Sequence, residues 1–146
     1  MWERLSKGVV IRNHPYSCII FSSKVVRKMQ AIVDKKIDTC ESGGLLLGYV
    51  RKNHFDVRKI TVPYKKDFTS RYLFIRKDES HLNIFQILRT KIDKNLTYIG
   101  EWHTHSEDDP IPSGIDLDEW NILKSTRSYP LVFMILGRRN FYITVK

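Results

Sequence analysis

Residues 96–126 read LTYIGEWHTHSEDDPIPSGIDLDEWNILKST, and this run constrains the fold more than any other part of the chain. It opens on β-branched and aromatic residues, as a strand does, and breaks at a polar, proline-containing loop, SEDDPIPSG. It resumes as an apolar-periodic helix that begins near Gly114–Asp116. Ser113 followed three residues later by Asp116 is a variant of the capping box, whose side chains satisfy the free N–H groups of a helix start. A loop of this length can fold back and bring the helix start over the end of the strand. Side chains two apart on a strand share a face, so Glu101, His103 and His105 point the same way.

The rest of the chain alternates strand and helix patterns irregularly. GVVIR and SCIIF read as strands about an NHPY turn, and GGLLLGYV and FDVRKITVPY as strands about RKNH. Ser22 or Ser23 caps a helix in SSKVVRKMQAIVDKK, where Val25, Met29, Ile32 and Val33 recur at helical spacing. The stretch KKDFTSRYLFIRKD reads as a loop with one strand inside it. Asp78 or Ser80 opens a second amphipathic helix that buries Leu82, Ile84, Phe85 and Leu88. PLVFMILG and NFYITVK close the chain as strands. This order predicts an α/β (mixed α+β) fold, a mixed β-sheet flanked by about three helices, in one domain over residues 1–146.

Composition narrows the function classes. No apolar run approaches the ~20 residues that span a bilayer, and the N-terminus is too polar for a signal peptide, so the expected location is cytoplasmic. Cys18 and Cys40 form no C-x-x-C unit and are expected to be reduced thiols. The net charge is +9, yet residues 101–119 hold seven acidic side chains and no Lys or Arg. The acidic segment is the one that carries the histidine pair. The basic excess elsewhere is scattered, as on a well-solvated surface, with attraction to acidic partners as the alternative.

Two imidazoles on one strand face can aim at one metal ion, and a catalytic zinc takes three protein ligands plus a water. Asp116, at the helix start beyond the loop, is the best-placed third ligand, and Ser113 is near enough to offer a hydroxyl. The same residues allow a plainer reading, a chance H-x-H pair beside a structural cap.

The joint pattern H-x-H-x7-S-x-x-D resembles the signature of the JAMM (MPN+) zinc metalloproteases, the JAB family, at all four positions. The family also has a glutamate upstream on an element followed by a Gly-Gly-hydrophobic strand, and CESGGLLLGY supplies it as Glu41, followed by Gly43, Gly44 and Gly48. One departure is Ser106, which stands where many members have proline, so the stiffness of the loop is in question. The resemblance implies one catalytic Zn²⁺ on His103, His105 and Asp116, with Glu41 as general base and Ser113 as oxyanion donor. It implies a protein substrate, cut at the amide after an extended C-terminal tail that is ubiquitin-like or belongs to a nucleotidyltransferase-type conjugate. The small size is similar to that of bacterial JAB peptidases found beside E1- and E2-like conjugation enzymes in CBASS anti-phage operons.

Glu101 is a rival base or an imidazole-orienting group, and Cys40 neighbours Glu41. Three other classes remain beside the protease. A zinc deaminase needs H-x-E with P-C-x-x-C, which the chain lacks. A non-catalytic MPN scaffold usually loses the ligands that are kept here. A basic nucleic-acid-binding module would use the aromatics interleaved with Lys and Arg in YKKDFTSRYLFIRK for stacking.

Overall fold

The computed structural model describes residues 11–13, 16–52 and 54–146. Its main sheet has seven strands in the order β1-β2-β4-β3-β7-β8-β9. The strands are β1 (Ile11–Asn13), β2 (Tyr16–Phe21), β3 (Gly43–Arg51), β4 (His54–Ile60), β7 (Thr97–Thr104), β8 (Val132–Leu136) and β9 (Phe141–Val145). The β2·β4 and β7·β8 pairs are parallel and the others antiparallel, which makes the sheet mixed, as the irregular alternation predicts. Part of the expected GVVIR strand, the centre of the NHPY turn and one residue of RKNH lie outside the described residues.

Among the described residues three helices cover the sheet: α1 (Ser23–Lys36), α2 (Ser80–Lys91) and α3 (Gly114–Ser125). Ser22 caps α1, its hydroxyl accepting the Val25 N–H, and the buried stripe is Val25, Val26, Met29 and Val33. Period-two alternation sorts the central strands between two cores. Leu46, Val132, Met134 and Leu136 face α1, and Leu45, Leu47, Leu131, Phe133 and Ile135 face the other side, where Phe85 and Leu88 of α2 and Trp120 of α3 close over them. Strands β3 and β8 are thus buried on both faces, which is why their sequences read as near-continuous apolar runs.

Two expectations change. The stretch 65–78 is a hairpin of two short strands, β5 (Phe68–Ser70) and β6 (Leu73–Ile75), where one strand was expected. On α2, Leu82 faces solvent and His81 takes the buried position, so the stripe runs through residues 81, 84, 85 and 88. A polar side chain can hold that place because both its ring nitrogens are bonded, to Thr61 and Asp67. The helix begins at Ser80 without a side-chain cap from Glu79, and the Asp78 carboxylate accepts the Ser80 N–H instead.

Asp78 also accepts the Lys66 N–H at 2.8 Å, closing the base of the hairpin excursion. These backbone N–H groups hold its carboxyl down at about 2. A carboxyl depressed in the folded state contributes stability above its unfolded value of ~3.9 and loses it as pH falls towards the folded value. Asp78→Ala is therefore expected to lower the urea midpoint at pH 6, with the gap from wild type narrowing as pH falls from 4 to 2. A gap independent of pH would contradict this.

Candidate metal centre

The centre is built on the pairing of β3 with β7. Their antiparallel register sets Gly43 opposite His103, and Ser42 is bonded twice to Thr104: its C=O accepts the Thr104 N–H at 2.8 Å, and its N–H donates to Thr104 Oγ1 at 2.9 Å. His105 continues the line beyond β7, its N–H donating to Leu136 C=O at 3.0 Å. The two imidazoles meet as the strand period requires, with Nε2 atoms 3.1 Å apart. Glu41, two residues before β3, is thereby brought beside them, its Oε1 3.8 Å from His105 Nε2.

Asp116 arrives from the other direction, in the first turn of α3. Ser113 and Asp116 form a reciprocal capping box: Ser113 Oγ accepts the Asp116 N–H at 3.1 Å, and Asp116 Oδ2 accepts the Ser113 N–H at 2.8 Å. The structural reading of this pair is therefore correct, and it does not compete with the chemical one. The same carboxylate reaches both imidazoles, Oδ1 to His103 Nε2 and Oδ2 to His105 Nε2, each at 3.1 Å. Burial pushes the Asp116 carboxyl up, but the hydrogen bonds and charges of the two histidines overcome it and hold the group far below the usual range. Burial lowers the His105 pKa, and the bond to Asp116 with the charges of Glu41, Asp116 and Glu107 outweighs it and raises it.

Glu41 is only 7% exposed, and burial pushes its carboxyl up to about 7, against the opposing pull of His105. The β5–β6 hairpin holds it. Its N–H donates to Ser70 C=O at 2.7 Å, and the Phe74 backbone N–H donates to its carboxylate. Gly43 is required here, because a Cβ at that position would lie 2.6 Å from the Phe74 ring and from Trp102 C=O.

His103 Nε2 and His105 Nε2 lie 3.1 Å apart, and Asp116 meets each ring with a different oxygen, Oδ1 and Oδ2, also at 3.1 Å. A tetrahedral ion with donors at about 2.0–2.1 Å has donor–donor edges of roughly 3.3 Å, a span close to each of these pairs. Glu41, His103 and His105 also form a possible metal group, with donor atoms within 4.8 Å of one another. The distances separate the two carboxylates: Asp116 lies at edge distance from both imidazoles, whereas Glu41 stands back at 3.8 Å from one. Glu41, Ser113, His105 and Asp116 open onto one cavity of about 150 Å³. A cleft of about 330 Å³ leads away between β6 and α3, walled by Leu73, Ile75, Ile115 and Leu123.

The other sequence readings resolve as follows. Glu101 shares the imidazole face but is engaged elsewhere. Its Oε1 accepts from Arg76 at 2.8 and 3.1 Å and from the Tyr98 hydroxyl at 3.2 Å, and among the described residues it bonds to neither imidazole. Tyr98 reaches that face because the β3·β7 register skips Ile99. Cys18 and Cys40 are free thiols, half-buried, and neither belongs to the metal group. Ser106 compensates for the absent proline, its hydroxyl donating to Ile37 C=O while its own C=O accepts from Arg138 at 3.0 Å. Trp102 and Trp120 are buried, and Trp120 stacks on Phe133 with centroids 4.9 Å apart. Of the aromatics in 64–77, Tyr64 packs edge-on against His81 and Phe74 lies over Gly43, whereas Phe68 and Tyr72 are exposed. Sequence reasoning missed Thr61, Asp67, Phe74, Arg76 and His81, none of which stands at a fixed spacing from the H-x-H pair.

Comparison with known proteins agrees with this geometry. The family described as prokaryotic homologs of the JAB domain matches residues 15–143. A CD-NTase/cGAS isopeptidase of Pseudomonas aeruginosa is 39% identical over 125 residues, 84% of this chain and 79% of its own. Its counterparts in Escherichia coli and Vibrio cholerae are 31% and 28% identical, covering 88% and 94% of this chain and 81% and 88% of theirs. A solution structure of a Desulfitobacterium hafniense protein shares the fold, with a TM-score of 0.62 over 87% of this chain and 82% of that one at 18% identity.

The raised Glu41 pKa has a consequence for stability without metal. A carboxyl whose folded pKa lies above its unfolded value costs nothing at low pH, and stability is lost as pH rises from about 4.5 through 7. Metal-free Glu41→Gln is therefore expected to match the wild type in thermal unfolding at pH 4 and to exceed it at pH 8, by on the order of 1–3 kcal/mol. Equal stability at pH 8 would show that the carboxyl is not desolvated.

Proposed function

The chain belongs to the prokaryotic JAB-domain family, and we propose that it is a zinc isopeptidase that releases a CD-NTase/cGAS-type protein from a conjugate joined through its C-terminal tail. The observation that carries this reading is the convergence of His103, His105 and Asp116 at 3.1 Å, with the carboxylate of Glu41 beside them at 3.8 Å. The two histidines and Asp116 are the residues that would hold the ion. Two imidazoles and a carboxylate suit several divalent metals, and zinc is preferred on the membership of the JAB family. When bound, zinc supplies a Lewis acid and lowers the pKa of water at its open position.

The chain's own groups then divide the work. Glu41 lines the same cavity as His105 and Asp116, and it would take the proton of the attacking water and pass it to the leaving amine. Its burial beside His105 keeps bulk water from competing for this proton. Ser113 Oγ already accepts the Asp116 N–H, so its hydrogen is free to donate to the oxyanion. Asp116 is held as a carboxylate by both imidazoles, ready for a cation.

The substrate tail is assigned to the cleft between β6 and α3. Strand β6 pairs only with β5 among the described strands, so its other edge has N–H and C=O groups to offer an extended segment. Leu73, Ile75, Ile115 and Leu123 give that segment apolar contacts. E1- and E2-like conjugation enzymes would supply the conjugate, in a setting of the CBASS anti-phage kind. No described helix is long and apolar enough to cross a membrane.

Native mass spectrometry is expected to find one zinc in the wild type and to lose it in His103→Ala and Asp116→Ala. A chelator should abolish cleavage of a CD-NTase conjugate, and zinc should restore it. Glu41→Gln should retain metal while cleavage falls about 10²–10⁴-fold, and Ser113→Ala should lose about 10²–10³-fold. A folded wild type that binds no metal would defeat the assignment. So would a Glu41→Gln variant with undiminished turnover.

A further inference from the structure

We propose that His81 is a positioning residue for Glu41, acting through a buried Thr61–His81–Asp67 chain that fixes the β5–β6 hairpin against the site. The inference rests on the reading of Glu41 as the general base. His81 is wholly buried on α2, and both its ring nitrogens are engaged: Nδ1 with Thr61 Oγ1 at 2.5 Å, Nε2 with Asp67 Oδ2 at 2.6 Å.

Each end of the chain is tied to something that matters for the centre. Thr61 Oγ1 accepts the Leu45 N–H at 2.7 Å, and Thr61 C=O accepts Trp102 Nε1–H at 3.0 Å, so one residue is bonded to β3 and to the strand that carries His103. At the other end the Asp67 carboxylate gathers the N–H groups of Tyr64, Lys77 and Asp78 at 2.7–2.8 Å, which locks both legs of the excursion that carries the hairpin. That hairpin supplies both backbone partners of Glu41, the Ser70 C=O and the Phe74 N–H. The path from His81 to the base therefore runs through Asp67 to the two legs of the hairpin, and from the hairpin to Glu41 through the bond of Ser70 C=O to its N–H.

Stability alone does not account for a histidine here. An apolar residue of similar volume on the buried stripe of a helix commonly serves a core as well as a buried polar pair does. What the pair adds is orientation, because an imidazole bonded at both nitrogens admits one arrangement of its partners, whereas a leucine admits several. Displacement of a reacting group by about 1 Å costs on the order of 10²-fold in rate. Asp67 and Thr61 belong to the same device, but only His81 touches both.

The test compares His81→Leu, which keeps the apolar volume, with His81→Gln, whose amide nitrogen can still donate to Asp67. Expected for His81→Leu are one bound zinc, a kcat lowered about 10–100-fold and a KM within about three-fold of wild type, with His81→Gln recovering part of the kcat. In amide hydrogen exchange of the zinc-loaded proteins, Glu41 and Phe74 should exchange at least ~10-fold faster in His81→Leu, with the amides of β7 unchanged. Unaltered exchange at Glu41 and Phe74 would overturn the proposal, as would a uniform loss of protection and metal across the fold. If His81→Leu fails to fold, Asp67→Asn carries the same comparison. If the wild type cleaves no conjugate, the functional reading fails, and the exchange experiment still decides whether His81 positions Glu41.

Discussion

The antiparallel register of β3 against β7 is the constraint on which the centre depends. It sets Gly43 opposite His103 and bonds Ser42 twice to Thr104, so the residue before Ser42 is delivered to the side of the histidines. A slip of one residue would turn the imidazoles to the opposite face and leave Glu41 without a partner. The register is pinned by close approach: a Cβ at Gly43 would lie 2.6 Å from Trp102 C=O, and one at Gly44 2.2 Å from Thr61 C=O. The interior packing of the sheet and the alignment of the site are thus one specification.

Around that register, single groups serve structure and chemistry together. Ser113 and Asp116 cap α3 through each other, and Asp116 Oδ2, which accepts the Ser113 N–H, also reaches His105. The hairpin that covers Gly43 also holds Glu41 by two backbone bonds. Glu101, the other carboxylate on the strand face, is occupied by Arg76 and Tyr98. Of the carboxylates of Asp116, Glu41 and Glu101, the first is bonded to both rings, the second is desolvated beside them, and the third is paired with a guanidinium. Their environments separate roles that their chemical type leaves equal.

The sequence discloses the elements whose burial follows a simple period. The α1 stripe from Val25 to Val33 is found at its predicted spacing, and β3 and β8 lie in GGLLLGYV and PLVFMILG, which read as strands. The strand period likewise placed His103 and His105 on one face. The hairpin was only half legible, since its strands are three residues long and its order comes from the carboxylates of Asp67 and Asp78. The inward turn of His81 was not legible at all, because its partners lie 14 and 20 residues away and no local pattern marks them. Glu41 was placed by the family resemblance, as nothing within the local sequence shows that β3 pairs with β7.

The central claim is that Asp116 completes the donor set and Glu41 stands outside it as the base. The most direct measurement is a crystal structure of the zinc-loaded protein, with anomalous scattering recorded at the zinc edge. The account predicts one zinc within about 2.0–2.2 Å of His103 Nε2, His105 Nε2 and an Asp116 oxygen, with Glu41 bonded to the water at the fourth position. Zinc bound by Glu41, with Asp116 left to its capping box, would contradict it.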